Sequence, residues 1–189
     1  LKFIDIGGGL GITYKDELPP HPDDYARIIE EELKGTELTL ILEPGRVIVG
    51  NSGIFVTKLL YIKKVPGKTF YIVDGAMNDL VRPSLYGAFH EIVSVRYNDA
   101  KKINIDVVGP VCESGDFLAK DRDMPLVESG ELLAVLSAGA YGFSMSSNYN
   151  SRRRVAEVLV RDAEFNVIKS RETLKDLIKG EKIPSFMEV

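Results

Sequence analysis

Five short segments of this 189-residue chain carry the side chains best suited to chemistry. The first is Gly7-Gly8-Gly9, which follows an apolar stretch. With no Cβ to block approach, Gly8 and Gly9 can turn backbone N–H groups toward an anion. A tight strand-to-loop turn is the competing reading. The segment is neither a dinucleotide fingerprint, whose third glycine would fall on Ile12, nor a P-loop, since no Gly-Lys-Ser/Thr follows. In Glu43-Pro44-Gly45-Arg46 a carboxylate that can keep a ring nitrogen protonated stands beside a guanidinium that can bind phosphate or carboxylate bidentately. Taken alone, a surface ion pair next to a Pro-Gly turn also accounts for it. Residues 74–86 form a polar loop in which Arg82 and Tyr86, four apart, share a face if the segment is helical and so suit an anionic ligand. Pro83 limits that helix, and a solvated connector is the alternative. Cys112 and Glu113 lie among Pro, Ser, Gly and Asp, a loop setting that favours an acid or nucleophile over the small buried hydrophobe that a lone cysteine usually is. No histidine stands near enough in sequence for a Cys-His dyad. Finally, residues 137–142 open a small-residue turn that presents the Tyr141 hydroxyl, and Arg152-Arg153-Arg154 adds a basic cluster.

The elements that must position these residues change rhythm along the chain. Residues 1–6 and 38–42 are apolar runs that read as strands, the second as one buried on both faces. Between them Asp23 and Asp24 suit a helix N-terminus, Tyr25, Ile28, Ile29 and Leu33 recur at helical spacing, and Gly35 marks a stop. Beyond about residue 55 short strands take over, at 54–63, 69–73, 91–95, 103–108, 131–137, 156–160 and 166–170. The last two form a hairpin around residues 161–164, and an amphipathic helix over about 172–179 closes the chain. The expected architecture is α/β plus all-β: residues 1–53 as a βαβ tail, and residues 54–189 as an antiparallel β-barrel or sandwich. One βαβ unit leaves strand edges and apolar faces uncovered, so the expected parent is a larger α/β domain beginning before Leu1.

Bulk properties narrow the partners. With 44% hydrophobic and 28% charged residues the chain has a globular balance, and a net charge of −4 offers no electrostatic reason to bind nucleic acid or an anionic membrane. No apolar run approaches the roughly 20 residues of a membrane span. One cysteine suits a reducing, cytoplasmic setting, and His21, His90 and Cys112 have no metal-ligand spacing, so no metal is expected.

In this order, the stretches DIGGGLGI, LEPGR, VDGAMNDLVRPSLYGAFH, VGPVCESGDFLA and LSAGAYGFSMSSNYNSR resemble the fold-type III decarboxylases that use pyridoxal 5′-phosphate (PLP), most closely the diaminopimelate decarboxylase family. The resemblance implies the tail of a (β/α)8 TIM barrel followed by a β-barrel domain, with the terminal helix placed to pack back on the barrel. It implies a homodimer with shared active sites. Gly8 and Gly9 would cradle the PLP phosphate, Glu43 would face the pyridine nitrogen, and Gly45, Arg46 and Tyr141 would complete the cofactor site. Cys112 would be the proton donor, acting in the partner's site. Arg46, Arg82, Tyr86, Glu113 and Tyr141 would bind substrate: cationic and hydroxylic groups for the distal carboxylate of meso-diaminopimelate, Glu113 for its distal ammonium. The product would be L-lysine. The Schiff-base lysine and the cofactor-stacking histidine of this family have no counterpart in the chain, which implies that the segment alone is inactive. Arg153 stands where the family usually has proline. Two alternatives follow: a decarboxylase of another basic amino acid or carboxylated polyamine, and a non-catalytic, decarboxylase-like regulator.

Overall fold

The computed structural model describes residues 1–97 and 99–187. Strand β1 (Phe3–Asp5) pairs in parallel with β2 (Thr39–Ile41), Phe3 opposite Thr39. Helix α1 (Pro22–Glu32) connects them. Its start follows from the sequence. His21 caps it, with Nδ1 accepting from the Asp23 N–H, proline occupies the first turn, and Asp23 and Asp24 meet the positive end of the helix dipole. Gly35, at φ +81°, ends the turn beyond it. The expectation that the strand at 38–42 is buried on both faces does not hold within this chain. Ile41 and Leu42 are exposed.

A short helix α2 (Arg46–Val49) leads into β3 (Phe55–Val65), which belongs to two neighbours at once. Its first part pairs with β8 (Leu132–Val135) and its second with β4 (Lys68–Val73). A register shift between Leu59 and Tyr61 marks the bend that lets one strand serve both. The six-stranded sheet runs in the order β5 (Ile92–Ser94), β8, β3, β4, β6 (Lys102–Val108), β7 (Phe117–Pro125). Its outer strands approach each other, joined by Arg122 of β7, which donates to the His90 carbonyl at 2.9 Å and lies 3.7 Å from the Glu91 carboxylate. The sheet therefore curls into a nearly closed barrel. Leu59, Tyr71, Val73, Leu80, Ile105, Val107, Leu118, Leu133 and Val135 fill its core.

Two sequence expectations change here. The barrel is not wholly antiparallel, because β4 and β6 pair in parallel, Phe70 opposite Asp106. The connection from β4 passes through a helix, α3 (Arg82–Tyr86), and β5, which carry the chain back to start β6 in the same direction. Strand β7 was not expected from sequence. Its Lys120-Asp121-Arg122-Asp123 stretch breaks apolar alternation, while Leu118, Ala119 and Met124 hold its buried face. The hairpin forms as expected, β9 (Glu157–Arg161) against β10 (Glu164–Lys169), with Asp162 at φ +52° in the turn. The terminal helix is shorter than expected: α4 (Leu174–Leu177), held by a capping box between Thr173 and Asp176. Among the described residues no helix is long and apolar enough to cross a membrane.

Candidate active site

The glycine loop and the Glu43–Arg46 tip meet because β1 and β2 are neighbours. Both segments leave the same end of parallel strands, where α/β proteins collect their chemistry. The Glu43 N–H donates to the Gly7 carbonyl at 2.8 Å, and a Cβ on Gly8 would collide with the Glu43 carbonyl oxygen. Gly7 and Gly9 adopt φ +68° and +90°, conformations that favour glycine. A Cβ on Gly45 would lie 3.9 Å from the Tyr141 hydroxyl. Gly8, Glu43, Gly45 and Tyr141 thus come together, with Gly9 and Arg46 beside them in sequence.

What brings Tyr141 there is a joint between α2 and the loop after β8. The Ala138 N–H donates to Gly53 O at 2.8 Å and the Gly139 N–H to Gly50 O at 3.1 Å. Gly139 can have no side chain, since a Cβ would run into the Val49 carbonyl. The Asn51 side chain donates to both Thr13 O (2.8 Å) and Ser137 Oγ (2.7 Å). Tyr141 itself sits at φ +60°, a left-handed conformation unusual for a tyrosine and the kind of strain that sites retain. Its ring is partly exposed.

Two arginines have no counter-ion among the described residues. Arg46 makes no ion pair among the described residues, and its Nε is buried with no hydrogen-bond partner. The Arg82 side chain likewise meets no carboxylate among the described residues, although the residue is only 9% exposed. Its Nη1 meets His90 Nε2 at 2.9 Å, and its guanidinium carbon lies 4.7 Å from the centre of the Tyr14 ring. A desolvated guanidinium held only by a neutral ring nitrogen and a π face favours an incoming anion. Helix α3 forms between Arg82 and Tyr86, as a shared face requires, but it does not make the two equally accessible. The helix is one turn long, Arg82 turns inward and Tyr86 lies exposed. Nor is the 74–86 loop a solvated connector, since Ala76, Asn78, Asp79 and Leu80 are all buried.

Cys112 and Glu113 lie on another loop, between β6 and β7. No hydrogen bond or ion pair among the described residues joins them to Gly8, Gly9, Glu43, Arg46 or Tyr141. Cys112 is exposed at the tip of the β6–β7 loop. Asp116 holds that loop from inside, its carboxylate accepting from Val111 N at 2.6 Å and Met77 N at 2.7 Å. Burial pushes the Asp116 carboxyl up, opposed by those two backbone donors. From outside, the Tyr149 hydroxyl donates to Glu113 Oε2 at 3.2 Å. That hydrogen bond, with the charges of Glu113 and then Cys112, raises the Tyr149 hydroxyl above its usual value. Ser84 of α3 donates to the Gly115 carbonyl, so the cysteine loop and the Arg82 helix are tied together.

Two members of the arginine cluster, Arg152 and Arg154, are engaged within the chain. Arg152 binds Asn78 Oδ1 (2.8 Å), Asp74 O (2.6 Å) and the buried Asp79 (3.6 Å), while Arg154 engages Ser146 O and Glu172. Sequence reasoning overlooked Tyr14, His90, Asp116 and Tyr149. His90 was weighed only as a metal ligand, and among the described residues no group of His, Cys, Asp and Glu could hold a metal.

Comparison with known proteins identifies the family. The family model for the C-terminal sheet domain of pyridoxal-dependent decarboxylases matches residues 13–139. A diaminopimelate decarboxylase of Pseudomonas aeruginosa is 54% identical over 183 residues, covering 97% of this chain and 44% of its own length. The crystal structure of the Helicobacter pylori diaminopimelate decarboxylase complexed with L-lysine matches at TM-score 0.87 and 46% identity, over 94% of this chain and 44% of that one. The M. jannaschii enzyme in complex with L-lysine matches at TM-score 0.92 and 38% identity, over 100% of this chain and 44% of that one. The chain spans less than half the length of these relatives. With a family model matched over residues 13–139 and about half of its residues identical to those of the bacterial relatives, the chain belongs to the pyridoxal-dependent decarboxylase family.

Proposed function

We propose that the full-length protein containing this segment is a PLP-dependent decarboxylase that converts meso-diaminopimelate to L-lysine, acting as a cytoplasmic homodimer with shared sites. In this reading residues 1–53 are the last units of a (β/α)8 barrel and residues 54–189 the sheet domain. The exposed apolar side chains of Phe3, Ile41 and Ile48 support the first part, because parallel strands are ordinarily covered on both faces.

The observation that carries the reading is the meeting of the Gly7–Gly9 loop, the Glu43–Arg46 tip and Tyr141, together with two arginines, Arg46 and Arg82, that have no carboxylate partner among the described residues. The cradle fits a phosphorylated pyridine. Gly8 and Gly9 present backbone amides to a phosphate, Arg46 and the Tyr141 hydroxyl add charge and a donor, and Glu43 keeps a ring nitrogen protonated. When bound, PLP supplies the electron sink that lets CO₂ leave. Arg82 and Tyr86 bind the distal carboxylate of the substrate, and Glu113 its distal ammonium. Cys112 delivers a proton to the α-carbon from Sγ. The lack of any hydrogen bond or ion pair, among the described residues, between this loop and the Gly8–Tyr141 group supports the idea that Cys112 and Glu113 serve a second subunit's site. The segment alone lacks the family's cofactor-anchoring lysine and is inactive.

Binding both ends of a zwitterion in a desolvated site leaves charge unpaired when either end is missing. CO₂ release by the full-length protein is therefore compared for diaminopimelate, ornithine and arginine. Diaminopimelate is preferred by about 10⁴-fold in kcat/KM. Comparable turnover of ornithine would overturn the assignment.

A further inference from the structure

His90 is fully buried, yet three site-bearing segments converge on it. Its Nδ1 lies 2.9 Å from the Leu136 carbonyl, in the segment that leads through Ser137 to Tyr141. A carbonyl can only accept, so Nδ1 carries the proton and Nε2 is left as an acceptor. Nε2 is the atom that meets Arg82 Nη1 at 2.9 Å. The Tyr14 ring, from the loop that follows the glycine cradle, packs edge-on against the imidazole, with ring centres 5.2 Å apart, and lies against the Arg82 guanidinium. The His90 backbone is held too, its carbonyl accepting from Arg122 at 2.9 Å. A neutral acceptor is what a buried arginine needs if it is to be aimed without being neutralised. A carboxylate in this place would take up the cation, while an apolar residue would leave the guanidinium free to rotate.

We infer that His90 is a positioning residue for substrate selection: with Tyr14 it directs the Arg82 guanidinium toward a ligand carboxylate, giving preference to amino acids that carry a second carboxylate far from the reacting carbon. This rests on the reading of Arg82 as the group that holds that carboxylate. It reaches beyond that reading because it gives His90, which is fully buried, and Tyr14 a role through Arg82 rather than in binding itself.

The test uses full-length protein and binding of L-lysine against cadaverine, which differ by that one carboxylate, measured by calorimetry. The variants are His90→Asn, whose amide can still donate to Leu136 O but cannot reach Arg82, and His90→Gln, whose amide oxygen can replace Nε2. His90→Asn should weaken lysine about tenfold and leave cadaverine unchanged, the size expected for one hydrogen bond to a charged group. His90→Gln should recover most of the loss. Equal weakening of both ligands, no weakening of lysine, or a glutamine variant no better than asparagine would each overturn the proposal. Arg82→Met separates the two layers. If it abolishes the preference for lysine while His90→Asn does not, only the role of His90 falls. If it leaves the preference intact, the reading of Arg82 falls and the proposal with it.

Discussion

Asp116 shows how much one side chain can hold in place. Its two oxygens satisfy Val111 N and Met77 N, so a single carboxylate fastens the loop carrying Cys112 to the loop carrying Asp79 and Leu80. Asp116→Ala leaves both donors unsatisfied in a buried setting, at about 1–3 kcal/mol each. The expected result is a full-length protein in which Cys112 is alkylated faster and kcat falls more than KM. Unchanged alkylation would show that the loop holds its shape without the carboxylate. Cys112 and Glu113 were legible in the sequence because Gly, Pro and Ser announce a loop around them. Asp116 was visible as a neighbour but not as a clamp, since one of its partners is 39 residues away. His90 was hidden for the same reason, as the carbonyl that fixes its tautomer is 46 residues distant.

Among the elements, the joint between α2 and the loop after β8 decides whether the cradle and Tyr141 belong to one site. Backbone packs directly on backbone at Gly139, where a Cβ has no room beside the Val49 carbonyl. Gly139→Ala must push the two segments apart. We expect a loss of about 1–3 kcal/mol in urea-induced unfolding of the full-length protein. PLP affinity should fall as well, because Tyr141 moves away from Gly45. Wild-type stability and affinity together would rule out the joint as the positioning device. Apolar alternation and turn residues made β3, β4, β6, β8 and the β9–β10 hairpin readable. β7 was lost because its exposed face is a run of charges that only the folded barrel shows to lie over a buried one.

For the molecule as a whole, pH exposes the same hidden centre. Burial, the largest cause, pushes His90 below its ordinary value of 6.5, with Arg82 and Arg122 acting in the same direction and the Leu136 hydrogen bond opposing them. A lowered folded pKa means that the unfolded chain binds the proton more readily. The contribution of neutral His90 is thus fully present above about pH 6.5 and is lost as pH falls through the depressed folded value. Asp79 and Asp116, raised chiefly by burial, act in the opposite sense and gain as pH falls toward their own range. Denaturation midpoints between pH 7 and 5 should fall more steeply for the native protein than for His90→Gln, and identical slopes would refute the buried neutral imidazole. By itself the sequence determined what is local: strand and helix periodicity, the glycines that permit tight backbone, the loop around Cys112, and the ordered set of segments that mark the family. The folded chain alone decided which of those segments meet, that β4 and β6 run parallel, and that His90 lies between Arg82 and Leu136. Such contacts join residues dozens of positions apart, and their energies depend on burial and on hydrogen bonds that exist only once the barrel has curled.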